Sequence, residues 1–304
     1  MLLGDTSASG PVLGSNSESK VFLNFVDHGG AGLICTPQGS SDWIYVDEFD
    51  ATLQKMKDTG MFGELVFYLE ACESGSMFPN LDASEKIYAF TASNATLSSW
   101  AAYCGSDATV GGKSIGSCLG DLFSINWMED TDSADVSSET LEQQYEVVLK
   151  LTTQSPVQKF GDFTFMNEAI GDFEGTENLS FLDSGKVNAS ESIMVDSREH
   201  DLHFLMNQAV MNPSLENTAA VQKELNHRDF IDGLFAENFE VVANAPETPQ
   251  NFDCLRMFVG EVEELCGPWS AYSLKYVRKL ANVCDTKTEE EIADLVAKVY
   301  THCN

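Results

Sequence analysis

VFLNFVDHGG (residues 21–30) and LVFYLEACESGSMF (residues 65–78) decide the fold of this chain. Each opens as a short, nearly continuous apolar run, the pattern of a strand buried on both faces as in a parallel sheet. A third run of this kind, IYAFT, spans residues 87–91. Between the first two, Asp47 to Lys57 carries Phe49, Leu53 and Met56 at helical spacing. Strand, helix and strand make a β-α-β unit with a right-handed crossover. A second helix is predicted over Glu139 to Leu151, with Leu141, Tyr145 and Val148 on one face. The first half of the chain therefore reads as α/β.

Catalytic groups in such sheets gather beyond the carboxyl ends of the strands. Asp27-His28-Gly29-Gly30 comes after the first strand, and Glu70-Ala71-Cys72-Glu73-Ser74-Gly75-Ser76 after the second. Parallel strands joined by one helix are near neighbours, so His28 and Cys72 reach one edge of the sheet. A histidine beside a cysteine takes its proton, and the thiolate is the competent nucleophile. Gly29 can turn its N–H into the cleft, where it would join the N–H of Cys72 as an oxyanion hole. A cysteine alone at a strand end is more often a small buried hydrophobe. The coincidence of both residues at matching ends is what points to a Cys-His hydrolase.

The chain has 304 residues, enough for two domains. Lys and Arg number 17 against 48 Asp and Glu, a formal net charge of −31. That argues against phosphate-driven nucleic-acid binding and favours solubility with pH-sensitive behaviour. No apolar run approaches the roughly 20 residues that span a bilayer. The opening Met1-Leu2-Leu3-Gly4-Asp5 has neither a basic region nor a long apolar stretch, so it is not a signal peptide. It reads as the end of a buried strand, and the natural product is expected to be longer at this end. The eight cysteines form no C-x-x-C pair, so neither a zinc ribbon nor a cofactor is expected. Asn94-Ala95-Thr96, Asn178-Leu179-Ser180 and Asn188-Ala189-Ser190 are N-glycan sequons, weak support for a secretory route.

Asn178 to Ser197 is rich in Ser, Asn, Gly and Asp and reads as a linker. Helical periodicity then runs over Ala219 to Phe239, Phe252 to Leu265, Trp269 to Val283 and Thr288 to His302, the last with a Thr288-x-x-Glu291 capping box. Four cysteines fall in this tail, at 254, 266, 284 and 303. Cys254 and Cys266 sit on one helix roughly 18 Å apart, at about 1.5 Å per residue, too far to bond. With the last three helices running up, down and up, the expected bridges are Cys254–Cys284 and Cys266–Cys303. Two such bridges imply an oxidising compartment.

VFLNFVDHGG, LVFYLEACESGSMF, IYAFTASNATLSSWAAYC (87–104), CLGDLFSINWMEDTD (118–132), the helix ETLEQQYEVV (139–148), RDF (228–230), the four late cysteines and LANVC (280–284) together resemble the legumain family of asparaginyl endopeptidases, or vacuolar processing enzymes. The resemblance covers nearly the whole chain. It implies a caspase-like, mostly parallel sheet flanked by helices, followed by an all-α, death-domain-like inhibitory prodomain. The expected division is a peptidase domain at 1–177, a linker and activation segment at 178–218 and a helical prodomain at 219–304. The resemblance makes Cys72 the nucleophile, His28 the base, and the N–H groups of Gly29 and Cys72 the oxyanion hole. It assigns the asparagine pocket to Glu70, Ser98 and Ser99 before Trp100, and Asp121. Carboxylates suit that task, because they accept the N–H bonds of a primary amide. As in plant members, Cys104 and Cys118 would close a surface loop, and Cys35 is expected to stay unpaired. The family places a strand, a helix and a strand before Leu2-Leu3-Gly4-Asp5, with an asparagine that orients the histidine and an arginine that binds the substrate side chain. Neither belongs to this chain.

The same resemblance implies an acid-activated zymogen acting on proteins with Asn before the cut, some members also being transpeptidases. Its own prodomain is the expected inhibitor, cystatin-type inhibitors are further partners, and the setting is lysosomal, vacuolar or secreted. Asn188, Asn207 and Asn217 are candidate self-cleavage positions. Lys275, Arg278 and Lys279 would share one basic face. By resemblance Lys275 would pair with Glu73 as a latch, whose carboxyl, drawn down by the cation, would release it in acid. Two other readings use the same residues: a lipid-anchor transamidase, and a non-catalytic pseudoenzyme or inhibitory protein.

Overall fold

The computed structural model describes residues 1–7, 10–36, 43–175, 189–239 and 246–304. The strands that build the site are β1 (Lys20–Val26), β2 (Glu64–Glu70), β3 (Ile87–Thr91), β4 (Trp100–Ala102), β5 (Gly120–Asp121), β6 (Gln158–Gly161) and β7 (Val195–Asp196). Strands β1, β2 and β3 run parallel in that order, and β6 closes the sheet antiparallel to β3. A second small sheet has the order β5-β4-β7. Helix α1 (Val46–Asp58) crosses from β1 to β2, and α2 (Leu122–Ser133) and α3 (Leu141–Leu151) cover the opposite face. The fold is that of a mixed, mostly parallel sheet flanked by helices with a helical C-terminal region, consistent with a caspase-like α/β architecture.

The continuous apolar run of β2 has a simple cause. Successive side chains of a strand point to opposite faces. Leu65, Phe67 and Leu69 pack with Phe49, Leu53 and Met56 of α1. Val66 and Tyr68 pack with Phe123, Trp127, Leu141 and Val148 of α2 and α3. Burying each such side chain is worth about 1.5–3 kcal/mol, and no polar position can be spared on either face. Thr140 and Gln143 cap α3 in a reciprocal box.

The tail contains α4 (His200–Met211), α5 (Leu215–Asn238), α6 (Phe252–Cys266), α7 (Val277–Thr286) and α8 (Glu289–Cys303). Cys254–Cys284 and Cys266–Cys303 join α6 to the ends of α7 and α8, with Cα separations of 5.6 and 5.1 Å. Cys104–Cys118 is also formed, and Cys35 and Cys72 are free and buried. Leu255, Phe258, Leu280 and Val299 form a core that continues into Ala31, Leu33 and Tyr45 of the first half. The tail is thus seated on the hairpin that comes after His28. None of the described helices is long and apolar enough to cross a membrane.

Three local expectations change. The helix expected over Trp269 to Val283 is interrupted: Ser273–Tyr276 is a 3-10 turn, and α7 starts only at Val277. Helix α5 starts at Leu215, where Ser214 caps it, rather than at Ala219. Part of the expected linker, residues 178–188, lies outside the described residues, but the described remainder contains β7.

Asp130, Glu139 and Glu174 meet beside α2 and α3, each with a buried oxygen that has no hydrogen-bond partner. Thr131, Gln144 and Tyr68 complete the cluster, and no cation enters it in the hydrogen bonds observed. Burial, and then neighbouring carboxylates, push Asp130 up to about 7; burial pushes Glu174 up to about 7. Groups raised in the folded state stabilise it fully below their unfolded values and lose that contribution as pH rises through about 7. The expected result is a melting temperature that falls between pH 5 and pH 8. The double variant Asp130→Asn, Glu174→Gln should flatten that fall, and an equally steep fall in the variant would refute the assignment.

Candidate active site

Strands β1 and β2 pair in register, with Val26 opposite Glu70. His28 and Cys72 each stand two residues beyond that pair, so the parallel ladder delivers both to one edge. The Asp27 N–H donates to the Glu70 carbonyl at 3.2 Å, which extends the alignment past the strands. The Cys35 N–H donates to the His28 carbonyl at 2.8 Å. In an antiparallel ladder bonded and non-bonded pairs alternate. The next pair, Gly29 with Ile34, is therefore non-bonded, and the Gly29 N–H points away from its partner strand. A Cβ on Gly29 would lie 2.7 Å from the Cys72 carbonyl oxygen and 3.1 Å from the Ala71 Cβ. Only glycine lets this backbone lie against the cysteine.

Cys72 is 1% exposed. Its Sγ lies 3.6 Å from the Ser99 hydroxyl and accepts the Ser99 N–H at 3.4 Å. Burial raises the thiol above its ordinary value, and Arg198 opposes the shift. Burial lowers the His28 imidazole, opposed by Asp27 and Asp201. Both shifts favour the neutral thiol and the neutral imidazole.

Glu70 and Asp121 form the carboxylate part of the site. Glu70 is held by Ser124, whose N–H and hydroxyl both donate to Oε2 at 2.9 Å. Glu70 Oε1 is buried with no hydrogen-bond partner. Burial, and then the Asp121 charge, raise the Glu70 carboxyl well above the usual range. Burial pushes Asp121 up to about 6, against His200 and the Ser197 hydroxyl. Ser99 is buried beside Cys72, Ser98 is half-buried, and Trp100 lies on β4 with its backbone opposite Asp196. Of the sequence-predicted residues, Ser99 and the Gly29 backbone thus lie against Cys72, Asp121 lies near Glu70, and His28 stands at the same edge of the sheet.

The expected Lys275–Glu73 latch is not formed. Lys275 lies 3.5 Å from Asp232 and 3.5 Å from the centre of the Tyr272 ring, and Lys279 donates to the Phe235 and Phe239 carbonyls. Both lysines face α5. At about 100° per residue, Arg278 is turned away from Lys279, and it reaches Glu73 instead. Glu73 Oε2 accepts Arg278 Nε at 3.0 Å and Nη2 at 2.8 Å, while Oε1 lies 3.3 Å from Arg198 Nη2. Arg278 also donates to the Glu247 and Ala95 carbonyls. The planar fork of arginine serves several acceptors at once, which a lysine point charge does not.

The acid release expected of Glu73 also changes sign. Burial outweighs the two guanidinium groups and raises the carboxyl. A group raised in the closed form favours that form as pH falls. The groups of opposite sign are His28, lowered by burial, and Asp201, lowered by its hydrogen bond to His200 and by nearby His28 and Arg228.

Sequence reasoning missed Ser197, Arg198 and Asp201. Ser197 ends a segment whose composition reads as a linker, Arg198 comes directly after it, and Asp201 sits in an acidic tail, where one more carboxylate carries no signal. Of the candidate cleavage positions, Asn188 lies outside the described residues, Asn207 is within α4, and Asn217 is in the first turn of α5.

Residues 1–176 match the model of the Peptidase C13 family, and residues 221–303 that of the legumain prodomain. The chain is 34% identical to the vacuolar-processing enzyme delta-isozyme of Arabidopsis thaliana, an alignment covering 93% of this chain and 66% of that protein. It is 36% identical to a vacuolar-processing enzyme of Vicia sativa, over 95% of this chain and 66% of that protein. It is 32% identical to a hemoglobinase of Schistosoma mansoni, over 98% and 71% respectively. The chain thus spans about two thirds of the length of these relatives. A sheet edge carrying Cys72 and His28, a helical tail docked over it and both family matches lead to one assignment: this chain belongs to the Peptidase C13 family, with a legumain prodomain as its C-terminal part.

Proposed function

We propose that this chain is the closed, zymogen form of a legumain-type cysteine endopeptidase that cuts proteins after asparagine in a vacuolar or lysosomal setting. The observation that carries this reading is the group of residues around Cys72: the buried Glu70, with an unpartnered oxygen, beside the half-buried Asp121, at the sheet edge that carries Cys72 and His28. A primary amide brings two N–H donors. It would satisfy Glu70 Oε1 and Asp121 together, a match that a side chain without those donors cannot make. Cys72 Sγ attacks the carbonyl carbon of the asparagine residue, and the N–H groups of Gly29 and Cys72 receive the oxyanion. His28 carries the thiol proton to the departing amine, and water then hydrolyses the thioester. The tail acts as the inhibitor, with Arg278 and Arg198 rather than Lys275 holding Glu73.

After acid treatment, an Ala-Ala-Asn reporter peptide should be hydrolysed at least about 100-fold faster than its Ala-Ala-Ala counterpart. Glu70→Ala should remove most of that preference, and equal turnover of both peptides by the parent would sink the reading. At His28, opening is favoured by acid, because burial lowers this imidazole in the closed form and exposure returns it towards about 6.5. The raised carboxyls Glu70, Glu73 and Asp121 act in the opposite sense. Between pH 7 and pH 5, hydrogen exchange over residues 195–203, corrected for intrinsic rates, should therefore be shifted towards protection in His28→Gln relative to the parent. The same pH dependence in His28→Gln would exclude the histidine as a sensor.

A further inference from the structure

Two cysteines are free and buried, Cys72 and Cys35, and the reaction proposed above uses only the first. Strand pairing sets Cys35 beside the site. Its N–H donates to the His28 carbonyl at 2.8 Å, which continues the antiparallel pairing of Gly29 with Ile34 by one residue. The point where a Cβ of Gly29 would stand lies 2.7 Å from the Cys72 carbonyl oxygen and 3.3 Å from that of Leu33. Residues 33–35 of the hairpin and residues 71–72 therefore pack on one glycine, the residue directly after His28.

Side chains alternate along this hairpin. Ile34 packs in one core with Ala71, whereas Leu33 and Cys35 belong to the core that Leu274, Val277 and Leu280 of the tail complete. A Cβ on Gly30 would lie 3.2 Å from the Leu274 carbonyl oxygen and 3.3 Å from the Val277 Cβ, so the tail is pressed directly on the hairpin. Arg198 acts electrostatically on both thiols, and the Cys35 thiol also feels Asp27 and Cys72. Burial raises both thiols above their ordinary values, so the closed chain disfavours the thiolate that oxidants attack. Departure of the tail uncovers Cys35 at the edge where Cys72 reacts.

We infer that Cys35 is the resolving thiol of Cys72: in the opened chain hydrogen peroxide oxidises Cys72, and Cys35 closes a reversible disulfide with it that switches the nucleophile off. This goes beyond the proposed function and rests on it only in taking Cys72 as the reactive thiol. The Cys72 thiolate attacks one peroxide oxygen, the O–O bond breaks, and hydroxide leaves, giving a sulfenic acid. The Cys35 thiolate then attacks that sulfur, the S–O bond breaks, and the S–S bond forms. In all, two thiols give up two electrons and two protons, and one peroxide is reduced to two molecules of water. A sulfenic acid that finds no thiol goes on to sulfinic acid, which a thiol reductant does not reverse. Cys35 diverts Cys72 from that end. The bridge needs the two Cα atoms within about 7 Å of each other, a closure the hairpin makes once the tail no longer presses on Gly30.

Two measurements on the full chain test this. In the first, the acid-treated chain is exposed to hydrogen peroxide, its remaining thiols are alkylated with iodoacetamide, and it is digested with trypsin without reduction. Lys20, Lys55, Lys57 and Lys86 place the two cysteines on separate peptides, residues 21–55 and 58–86. The expected product is these two peptides joined, two hydrogens lighter than the pair and parted by dithiothreitol. Cys72 recovered as sulfinic acid beside an alkylated Cys35 would overturn the inference. No variant is needed, so this result stands whether or not Cys35→Ala folds. In the second, hydrolysis of the Ala-Ala-Asn reporter is followed after peroxide and again after dithiothreitol. The parent should regain at least about tenfold more of its lost activity than Cys35→Ala. Equal recovery in the two would overturn the inference while leaving the function standing. Joined peptides in a chain that hydrolyses no reporter would uphold the thiol pair and refute the catalytic reading instead.

Discussion

Cys72→Ser should abolish both hydrolysis after asparagine and self-processing, a loss on the order of 10⁴-fold or more. Ser99, Glu70 and Asp121 would remain, so binding of an Asn peptide should survive while turnover does not. The reason is intrinsic nucleophilicity. A serine hydroxyl in this cleft would need a far stronger base than His28, whose imidazole is made less basic by burial. His28→Ala should cost nearly as much, and the double variant little more, because base and nucleophile act as a unit. Single-turnover assays on the acid-treated chain would read this. Residual cleavage after asparagine by the Cys72 variant above a few per cent would mean that another residue performs the attack.

Arg278→Ala should release the tail from the cleft. Glu73 is buried with its two oxygens divided between Arg278 and Arg198. Removing one partner of a buried pair costs up to about 3–5 kcal/mol, and Arg198 keeps part of the compensation here. At about 1.4 kcal/mol per factor of ten, this bounds the shift in the closing equilibrium at roughly 10²–10⁴. Iodoacetamide labelling of Cys72 should accelerate by a comparable factor. Adding Glu73→Gln to Arg278→Ala should restore much of the protection, because the carboxylate that has lost one of its two guanidinium partners is then gone. By contrast Lys275→Ala should leave the labelling rate within about twofold, since an exposed pair such as Lys275–Asp232 is worth at most about 1 kcal/mol. Equal acceleration by Lys275→Ala and Arg278→Ala would reverse this assignment of the latch.

The sequence by itself determined the elements and the sheet edge that Cys72 and His28 share. LVFYL and IYAFT are apolar at every position but Thr91 because both sheet faces are covered there, and that local pattern needs no knowledge of partners. VFLNFV carries the same pattern but forms the edge strand, where only Val21 is fully buried and Val26 is exposed. Parallel pairing is then dictated by the helix between them, and parallel pairing in register is enough to bring His28 and Cys72 to one edge. The tail bridges were legible for a similar reason, since helix length and direction leave one geometrically possible pairing. What only the tertiary structure decided is which charges meet across the two halves. On a face carrying Lys275, Arg278 and Lys279, periodicity places the side chains within a turn of one another, but it does not say which of them finds a carboxylate on its own domain. Asp232, on α5, takes Lys275, and that leaves Glu73 to Arg278. The same limit hid Ser197 and Arg198. A segment that forms a strand only by adding to β4 owes its structure to hydrogen bonds with a distant partner, and its Ser- and Asp-rich composition carries no trace of them. The sign of the Glu73 shift was likewise out of reach, because it depends on the loss of water around the carboxyl, a property of the closed assembly and of no single stretch of chain.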